Sequence, residues 1–217
     1  VLSATLSNQL TWSVAGDEVR IADFSALTEA GKYILRVSGF ADSSVITINN
    51  DAYLNVHDAA LKAYYFNRAS TELVSAHAGL WSRLAGHPDT SVLVHKSASD
   101  SHRPTGTVLS APKGWYDAGD YNKYIVNSGI SMFTLLAAYE QYPDFYRNRD
   151  VNIPESGDAI PDILDEVKWN LDWMLAMQDP HDGGVYHKLT SLKFSGAVMP
   201  NAASAERYVV QKSTSAA

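Results

Sequence analysis

Residues 113–124 of the chain, KGWYDAGDYNKY, contain two aspartates that are separated only by Ala-Gly. The stretch lies directly ahead of a segment with helical spacing of apolar residues, so it is typical of a turn that leads into a helix. In such a turn the carboxylates of Asp117 and Asp120 can point into one small space, and Gly119 would allow a backbone conformation that other residues resist. Two carboxylates at one place can accept both protons of a single water molecule and make it a stronger nucleophile.

The same pair of aspartates is compatible with other roles. Asp120 can serve as the N-cap of the following helix, with Asp117 in the preceding turn. Calcium binding is a further alternative, because carboxylates and loop carbonyls are the usual ligands of that ion. A helix start also favours negative charge, which would help to keep a pair of carboxylates ionised. The spacing alone does not decide between catalysis, capping and calcium.

Composition narrows the class of protein. The 217 residues carry a net charge of -7, and no cluster of Lys and Arg provides the concentrated positive surface that nucleic-acid binding requires. The absence of cysteine excludes disulfides and thiolate chemistry. No apolar run approaches the length of a membrane span, and the first residues do not resemble a signal peptide. We therefore expect neither a nucleic-acid nor a membrane partner, and an exported protein would carry its signal upstream or would have lost it.

The first 57 residues show the alternation of apolar and polar residues that is typical of β-strands. The short apolar runs lie at 10–14, 19–21, 33–37, 45–48 and 53–56, with turn-forming residues between them. Such spacing indicates a β-sandwich of the immunoglobulin type, which usually takes about 100 residues. Residues 1–57 therefore predict a small or truncated module.

From residue 58 onward the apolar residues recur at helical spacing. Helices are predicted at 58–85, 121–139 and 160–178, and a fourth from about Asn201. The second helix is expected to carry Val126, Ile130, Phe133 and Ala137 on one apolar face. The third is expected to bury Ile160, Ile163, Leu164, Val167, Leu171, Met174 and Leu175, with Trp169 and Trp173 also in the core. Long polar connections between these helices are the expected places for binding groups.

Three blocks of sequence carry a resemblance to a known family. Residues 113–127, 160–175 and 177–190 resemble, in this order, the catalytic domain of glycoside hydrolase family 9, the inverting cellulases. The region ahead of them is similar to the immunoglobulin-like module that often precedes this domain. The resemblance implies a truncated β-sandwich at 1–57, followed at 58–217 by an all-α region that forms the first part of an (α/α)6 barrel with an open cleft.

The resemblance also implies an activity, which is endo-acting hydrolysis of β-1,4-glucosidic bonds in cellulose or related β-glucan polysaccharides and oligosaccharides, with inversion. Asp120 would be the catalytic base and Asp117 would help to hold the water. The family's general acid is a Glu near the C-terminal end of the catalytic domain, so neither Glu166 nor Glu206 is given that role and the chain alone is expected to be inactive. An exo-acting glucosidase or glucosaminidase and a non-catalytic carbohydrate-binding fragment are the alternatives.

Further expectations concern substrate contacts and location. Trp115, Tyr116 and Tyr124 flank the carboxylates, where they either pack the turn or stack on a sugar. Residues at the end of the third helix and on the next loop resemble a cleft-lining segment; the candidates there are Gln178, Tyr186 and His187. No metal ligands are assigned and no cofactor is required, although a structural calcium with unknown ligands is compatible with the family. The resemblance implies a secreted or periplasmic enzyme.

Overall fold

The computed structural model describes residues 2–217, and the chain forms two compact units. The first unit ends at Val56, and the second spans His57–Ala217. Among the helices of residues 2–217, none combines the length and the apolar character needed to cross a membrane.

The first unit contains two small antiparallel sheets. Strand β1 (Leu10–Trp12) pairs with β2 (Asp17–Val19), and β3 (Gly31–Tyr33) pairs with β4 (Ile46–Ile48). Strands β1 and β4 fall within the apolar runs that the sequence marks, whereas β2 and β3 each begin two residues before their runs. The strand predicted at 53–56 is wrong, because helix α1 begins there and its buried side chains recur four residues apart, as a helix requires.

The chain turns away after the first helix. Helix α1 spans Leu54–Phe66, and only a short helix α2 (Ser75–Ala78) with a 3-10 turn at Gly79–Trp81 follows it. The prediction of one helix over 58–85 is therefore wrong beyond Phe66. The physical reason is long-range backbone pairing, since Arg68 forms a bridge with Trp115 that a continuing helix could not make.

Helix α3 (Ile125–Gln141) is followed by the short α4 (Pro143–Tyr146). Helix α3 packs against α5 (Asp162–Ala176). The buried residues of α3 are Ile125, Ser128, Met132 and Leu135. Of the predicted apolar face, Ile130 and Phe133 are 68% and 73% exposed, so residues 2–217 bury a different side of α3. Both sides of α3 are apolar, so periodicity could not choose between them.

Helix α5 buries a face that includes polar residues. Its buried side chains include Ile163, Glu166, Val167, Asn170 and Trp173. Burial is confirmed for Ile163 and Val167 of the predicted stripe, and the core position of Trp173 is also confirmed. Leu171 and Leu175 are exposed, contrary to the prediction. The buried face is displaced because Glu166 and Asn170 find partners inside the protein.

A five-stranded sheet accompanies the helices of the second unit, in the order β6-β5-β9-β8-β7. Its strands are β5 (Val92–Val94), β6 (Val108–Leu109), β7 (Lys123–Tyr124), β8 (Lys188–Ser191) and β9 (Arg207–Val209). The β5–β9 pair is parallel and the other pairs are antiparallel. The expectation of an all-α region leaves these strands out. The helix predicted from Asn201 is also wrong, since a 3-10 turn at Pro200–Ala202 leads instead into the central strand β9.

Two buried clusters fix the position of the aspartate-bearing stretch. One cluster contains apolar residues of α1, α3 and α5 together with Trp115, and the other joins the sheet to the second half of α5. The residues between Trp115 and β7 bridge the two clusters, so the loop with Asp117 and Asp120 is anchored at both ends.

Candidate active site

Helix α5 and the turn after α1 hold the start of the aspartate-bearing stretch. The backbone of Trp115 pairs with Arg68, and the Trp115 N–H donates to Oδ1 of Asn170 at 3.1 Å. The indole N–H of Trp169 donates to the carbonyl of Gly114 at 3.2 Å. Residues from three separate parts of the chain therefore determine where the loop begins.

The left-handed backbone conformations in this stretch lie on either side of the two aspartates. Lys113, Gly114 and Tyr121 have φ values of 65°, 80° and 57°. Gly119 does not adopt a positive φ, and a Cβ built there would meet nothing within 4 Å. The expectation that Gly119 shapes the turn is therefore wrong. The carbonyl of Tyr121 accepts a 2.7 Å hydrogen bond from Arg207, which helps to hold that residue's unusual conformation.

Asp120 is half-buried and accepts three hydrogen bonds. Its Oδ1 accepts from the backbone N–H of Asn122 at 3.1 Å, and its Oδ2 accepts from Nδ2 of Asn122 at 2.9 Å and from the Tyr124 hydroxyl at 3.2 Å. The N-cap alternative for Asp120 is wrong, because α3 begins only at Ile125 and has no side-chain cap. For the same reason, Asp120 does not lie in the first turn of α3, where a helix start would favour its negative charge.

Asp117 is exposed and held more lightly. Its Oδ1 accepts a 2.7 Å hydrogen bond from Nδ2 of Asn127, in the first turn of α3. Its backbone N–H donates to the carbonyl of Asn122 at 2.9 Å. Asn122 therefore contacts both aspartates, Asp117 through its carbonyl and Asp120 through its backbone N–H and its side chain.

A buried ionic cluster lies beneath the end of the loop. Nζ of Lys123 lies 2.8 Å from Asp89 and donates to two backbone carbonyls. Arg207 also contacts Asp89, at 3.1 Å, in addition to the carbonyl of Tyr121. Burial lowers the pKa of Lys123 to about 8, and the neighbouring Asp89 opposes that effect. The cluster anchors the residues on either side of Asn122.

The aromatic residues ahead of Asp117 are buried. The Trp115 ring packs on Tyr64 at 4.6 Å, and its indole N–H donates to Glu166 at 3.3 Å. The Tyr116 hydroxyl lies 2.9 Å from Nδ1 of His87, whose pKa burial lowers to about 4, so His87 is neutral at neutral pH. Burial raises the pKa of Glu166 to about 7, against the lowering effect of Arg68.

The predicted substrate-contacting residues separate into two groups. Trp115, Tyr116 and Tyr186 are 6%, 5% and 0% exposed, so we propose that they pack the fold and do not stack on a sugar. Tyr124 is half-buried and contacts Asp120. The structure does not bring Gln178 or His187 into contact with either aspartate. Gln178 donates to its own loop at Gly183, and His187 is half-buried just before β8, where its carbonyl accepts from the N–H of Ile125 at 3.2 Å.

Sequence reasoning missed the residues that hold the two aspartates. These are Asn122, Asn127, Asn170, Arg207 and the buried Asp89. The sequence contained a local signal for Asn122. An aspartate side chain often accepts a hydrogen bond from the backbone N–H two residues later, and this is the spacing from Asp120 to Asn122. The other partners come from distant parts of the chain and have no such signal.

An acidic cluster away from this loop does not fit a calcium ion. Carboxylate oxygens of Asp100, Asp179 and Asp182 lie within 4.8 Å of one another. Nζ of Lys212 lies 3.3, 2.7 and 2.8 Å from them, so an ammonium group already balances their charge. Although burial raises the pKa of Asp179, its hydrogen bond from Lys212 and the charge of Arg103 hold the value near 2.

The fold and the site together define a two-carboxylate hydrolase as the candidate class, with a helical frame that carries paired aspartates on a surface loop. The chain belongs to glycosyl hydrolase family 9, whose sequence model matches residues 53–217. Residues 1–42 match the cellulase N-terminal ig-like domain. The family resemblance of the sequence is thus confirmed, as is the immunoglobulin-like character of its first region.

Individual relatives agree with this assignment. A xyloglucan-specific endo-beta-1,4-glucanase from Bacteroides ovatus is 53% identical over 196 residues, which cover 90% of this chain and 33% of that protein. Endoglucanase D from Acetivibrio thermocellus is 35% identical, over 92% of this chain and 31% of that protein. A solved family 9 structure from Bacteroides ovatus superposes with a TM-score of 0.87 at 45% identity, over 99% of this chain and 42% of that one. The chain spans about a third of the length of the curated relatives it matches.

Proposed function

We propose that this chain supplies the base-bearing part of the active site of an endo-acting β-1,4-glucan hydrolase that inverts the anomeric centre. In this proposal Asp120 is the catalytic base and Asp117 helps to hold the attacking water. The observation that carries the proposal is the hydrogen bonding of Asp120, whose carboxylate accepts hydrogen bonds from three donors. Asp117, three residues earlier in the sequence, is exposed.

The hydrogen bonds at the two aspartates suit these roles. The three donors fix the orientation of the Asp120 carboxylate. An ionised carboxylate offers about four lone-pair positions, and three donors leave one of them for water. The second oxygen of Asp117 accepts no hydrogen bond from residues 2–217 and is free to accept the other proton of that water.

In the proposed reaction, Asp120 removes a proton from the water as the water oxygen attacks the anomeric carbon. The bond from that carbon to the leaving-group oxygen breaks, and a general acid protonates the leaving oxygen. In the family that acid is a Glu further along the catalytic domain than the residues of this chain. Inversion needs about 6.5–9.5 Å between the acid and the base, so that the water fits between them.

The relatives guide the choice of substrate and domain boundaries. The names of the two relatives above are those of endoglucanases, one of them xyloglucan-specific. We therefore propose a β-1,4-glucan backbone as the substrate, and xyloglucan as the first polymer to test. We also propose that residues 1–57 form the immunoglobulin-like module, that residues 58–217 form the first part of an (α/α)6 barrel, and that the enzyme acts outside the cytoplasm.

The test uses a protein of the relatives' full length that contains this chain. We expect it to hydrolyse xyloglucan or carboxymethyl cellulose, and the Asp120→Ala variant to lose activity by at least about a thousandfold because the base is gone. The Asp144→Ala variant, at an exposed aspartate on α4, is the control for loss of an acidic side chain. Proton NMR should show the α-anomer as the first product. Turnover by Asp120→Ala close to that of the parent would reject the assignment.

Product analysis separates the alternatives. An endo-acting enzyme lowers the viscosity of the polymer long before reducing sugar accumulates, whereas an exo-acting enzyme does not. Release of glucosamine from its oligomers would favour the glucosaminidase alternative. Binding to the polymer with no release of sugar by the full-length protein would favour a non-catalytic carbohydrate-binding role.

A further inference from the structure

We infer that Asn122 is a positioning residue that orients the carboxylate of Asp120. This inference rests on the proposed function, since it concerns the base of that reaction. Asn122 is completely buried, which is unusual for an amide side chain beside a surface loop. All of its side-chain contacts are therefore made within the protein.

The orientation of the Asn122 amide follows from its two neighbours. The backbone N–H of Ser191, in β8, lies 3.2 Å from one end of the amide, and a backbone N–H can only donate. The end that faces Ser191 is therefore Oδ1. The other end is Nδ2, which donates to Oδ2 of Asp120 at 2.9 Å. Strand β8 thus determines which atom of Asn122 faces the base.

The backbone of Asn122 is held on both sides. Arg207 donates to the carbonyl of Tyr121, and Lys123 is buried against Asp89, which also contacts Arg207. Because both flanking residues are anchored, the side chain of Asn122 cannot follow Asp120 if that carboxylate rotates. The amide therefore acts as a fixed donor.

The donor is also neutral, which matters for a base. Among residues 2–217, Tyr124 is the ionisable side chain that donates a hydrogen bond to Asp120, and burial, followed by the charges of Asp120 and Asp117, raises the pKa of that tyrosine. Lys188 lies over the Tyr124 ring at 5.2 Å. A cation in direct contact would hold the negative charge so strongly that proton transfer would be disfavoured, whereas an amide N–H stabilises the carboxylate moderately.

The first test replaces the amide in the full-length protein. Asn122→Ala removes one donor to a charged group, and we expect kcat to fall about 10- to 100-fold. The substitution does not touch the sugar-binding surface, so we expect KM to stay within about threefold. Circular dichroism reports whether the variant folds. A kcat within about twofold of the parent, with Asp120→Ala inactive, would contradict the inference while leaving the proposed function intact.

The second test keeps the shape of the side chain and changes only its chemistry. Asn122→Asp places a second carboxylate against Asp120, which raises the pKa of the pair, so we expect the acid limb of the kcat profile to move up by about one pH unit or more. Asn148→Asp is the control, because it makes the same change of amide to carboxylate at an exposed residue after α4 that contacts neither aspartate.

The outcomes of the two tests separate the possible errors. An acid limb that moves equally in Asn122→Asp and Asn148→Asp, or that moves in neither, would overturn the positioning role. Loss of the folded state in both Asn122 variants would overturn it as well, since Asn122 would then act on the fold and not on the carboxylate. Full activity of Asp120→Ala would instead remove the proposed function.

Discussion

At the residue scale, the two aspartates of the loop differ in how firmly they are held. Asp120 accepts three hydrogen bonds, two of them from the buried Asn122. Asp117 accepts one, from the exposed Asn127. A carboxylate with several fixed donors keeps one rotamer, whereas a carboxylate with one donor can turn toward a water molecule. This difference suits a base and a water-holding group, respectively.

Asp165 is a buried carboxylate that weakens the fold near neutral pH. It is 7% exposed, and its Oδ2 accepts no hydrogen bond from residues 2–217. Burial, followed by the charges of Asp158, Glu155 and Asp162, raises its pKa to about 6. A group whose pKa is raised on folding stabilises the folded state at low pH, and this contribution is lost as the pH rises through about 6.

We therefore expect Asp165→Asn to raise the free energy of unfolding at pH 7 by about 1–2 kcal/mol, an advantage that disappears toward pH 4. Urea denaturation between pH 4 and pH 8 measures this difference. Asp144→Asn is the control, because the Asp144 side chain is 91% exposed and should leave the pH dependence unchanged. Parallel pH profiles for Asp165→Asn and the parent would contradict the role given to burial.

At the element scale, α5 is the platform for the aspartate-bearing stretch. Gly114 lies against this helix, where its carbonyl accepts from Trp169 and its φ is +80°. A Cβ at Gly114 would lie 2.8 Å from two ring atoms of Trp173, which is itself completely buried. Any side chain at this position would have to push the helix and the loop apart.

We expect Gly114→Ala to lower the free energy of unfolding by about 2–4 kcal/mol, because it combines an overpacked contact with an unfavourable φ. Gly119→Ala is a matched control within the same stretch, since Gly119 has an ordinary φ and open space around it. Thermal denaturation of both variants compares them directly. Equal losses of stability would mean that the contact with Trp173 does not limit the position of the loop.

The two glycines also show how far the sequence could predict this site. The family and the helices α3 and α5 were identified from local patterns in residues 113–190. The shape of the loop was not, because the left-handed residues Lys113 and Tyr121 depend on contacts with α5 and Arg207, which lie far away in the sequence. The expectation for Gly119 rested on its place between the two aspartates, which carries no information about those distant contacts.

Strand β9 shows the same limit in the fold. The residues after Asn201 are rich in Ala and favour a helix locally, yet Arg207–Val209 form the central strand of the sheet. Pairing with β5 and β8 on either side outweighs that local preference. Similarly, α3 is apolar on both sides, and only its packing against α5 decides which side is buried.

At the scale of the whole molecule, the second unit presents an apolar surface that residues 2–217 do not cover. It comprises Ile130 and Phe133 of α3 and Leu175 of α5, each more than half exposed. A hollow of about 380 Å³ lies beside them, lined by residues of α3 and by Met174 and Ala216. Apolar surface in contact with water favours association, because burial of that surface lowers the free energy.

We expect the 217-residue chain on its own to self-associate and to hydrolyse no glucan. The Phe133→Glu variant should shift the chain toward the monomer in sedimentation velocity runs. Gln141→Glu adds the same charge at an exposed polar position of α3 and should leave association unchanged. In a full-length protein, where we propose that later helices of the barrel cover this surface, Phe133→Glu should instead lower the melting temperature, because a charge would be buried. Two results together would show that no part of the protein packs on this surface. The 217-residue chain would be monomeric at high concentration, and Phe133→Glu would leave the melting temperature of the full-length protein unchanged.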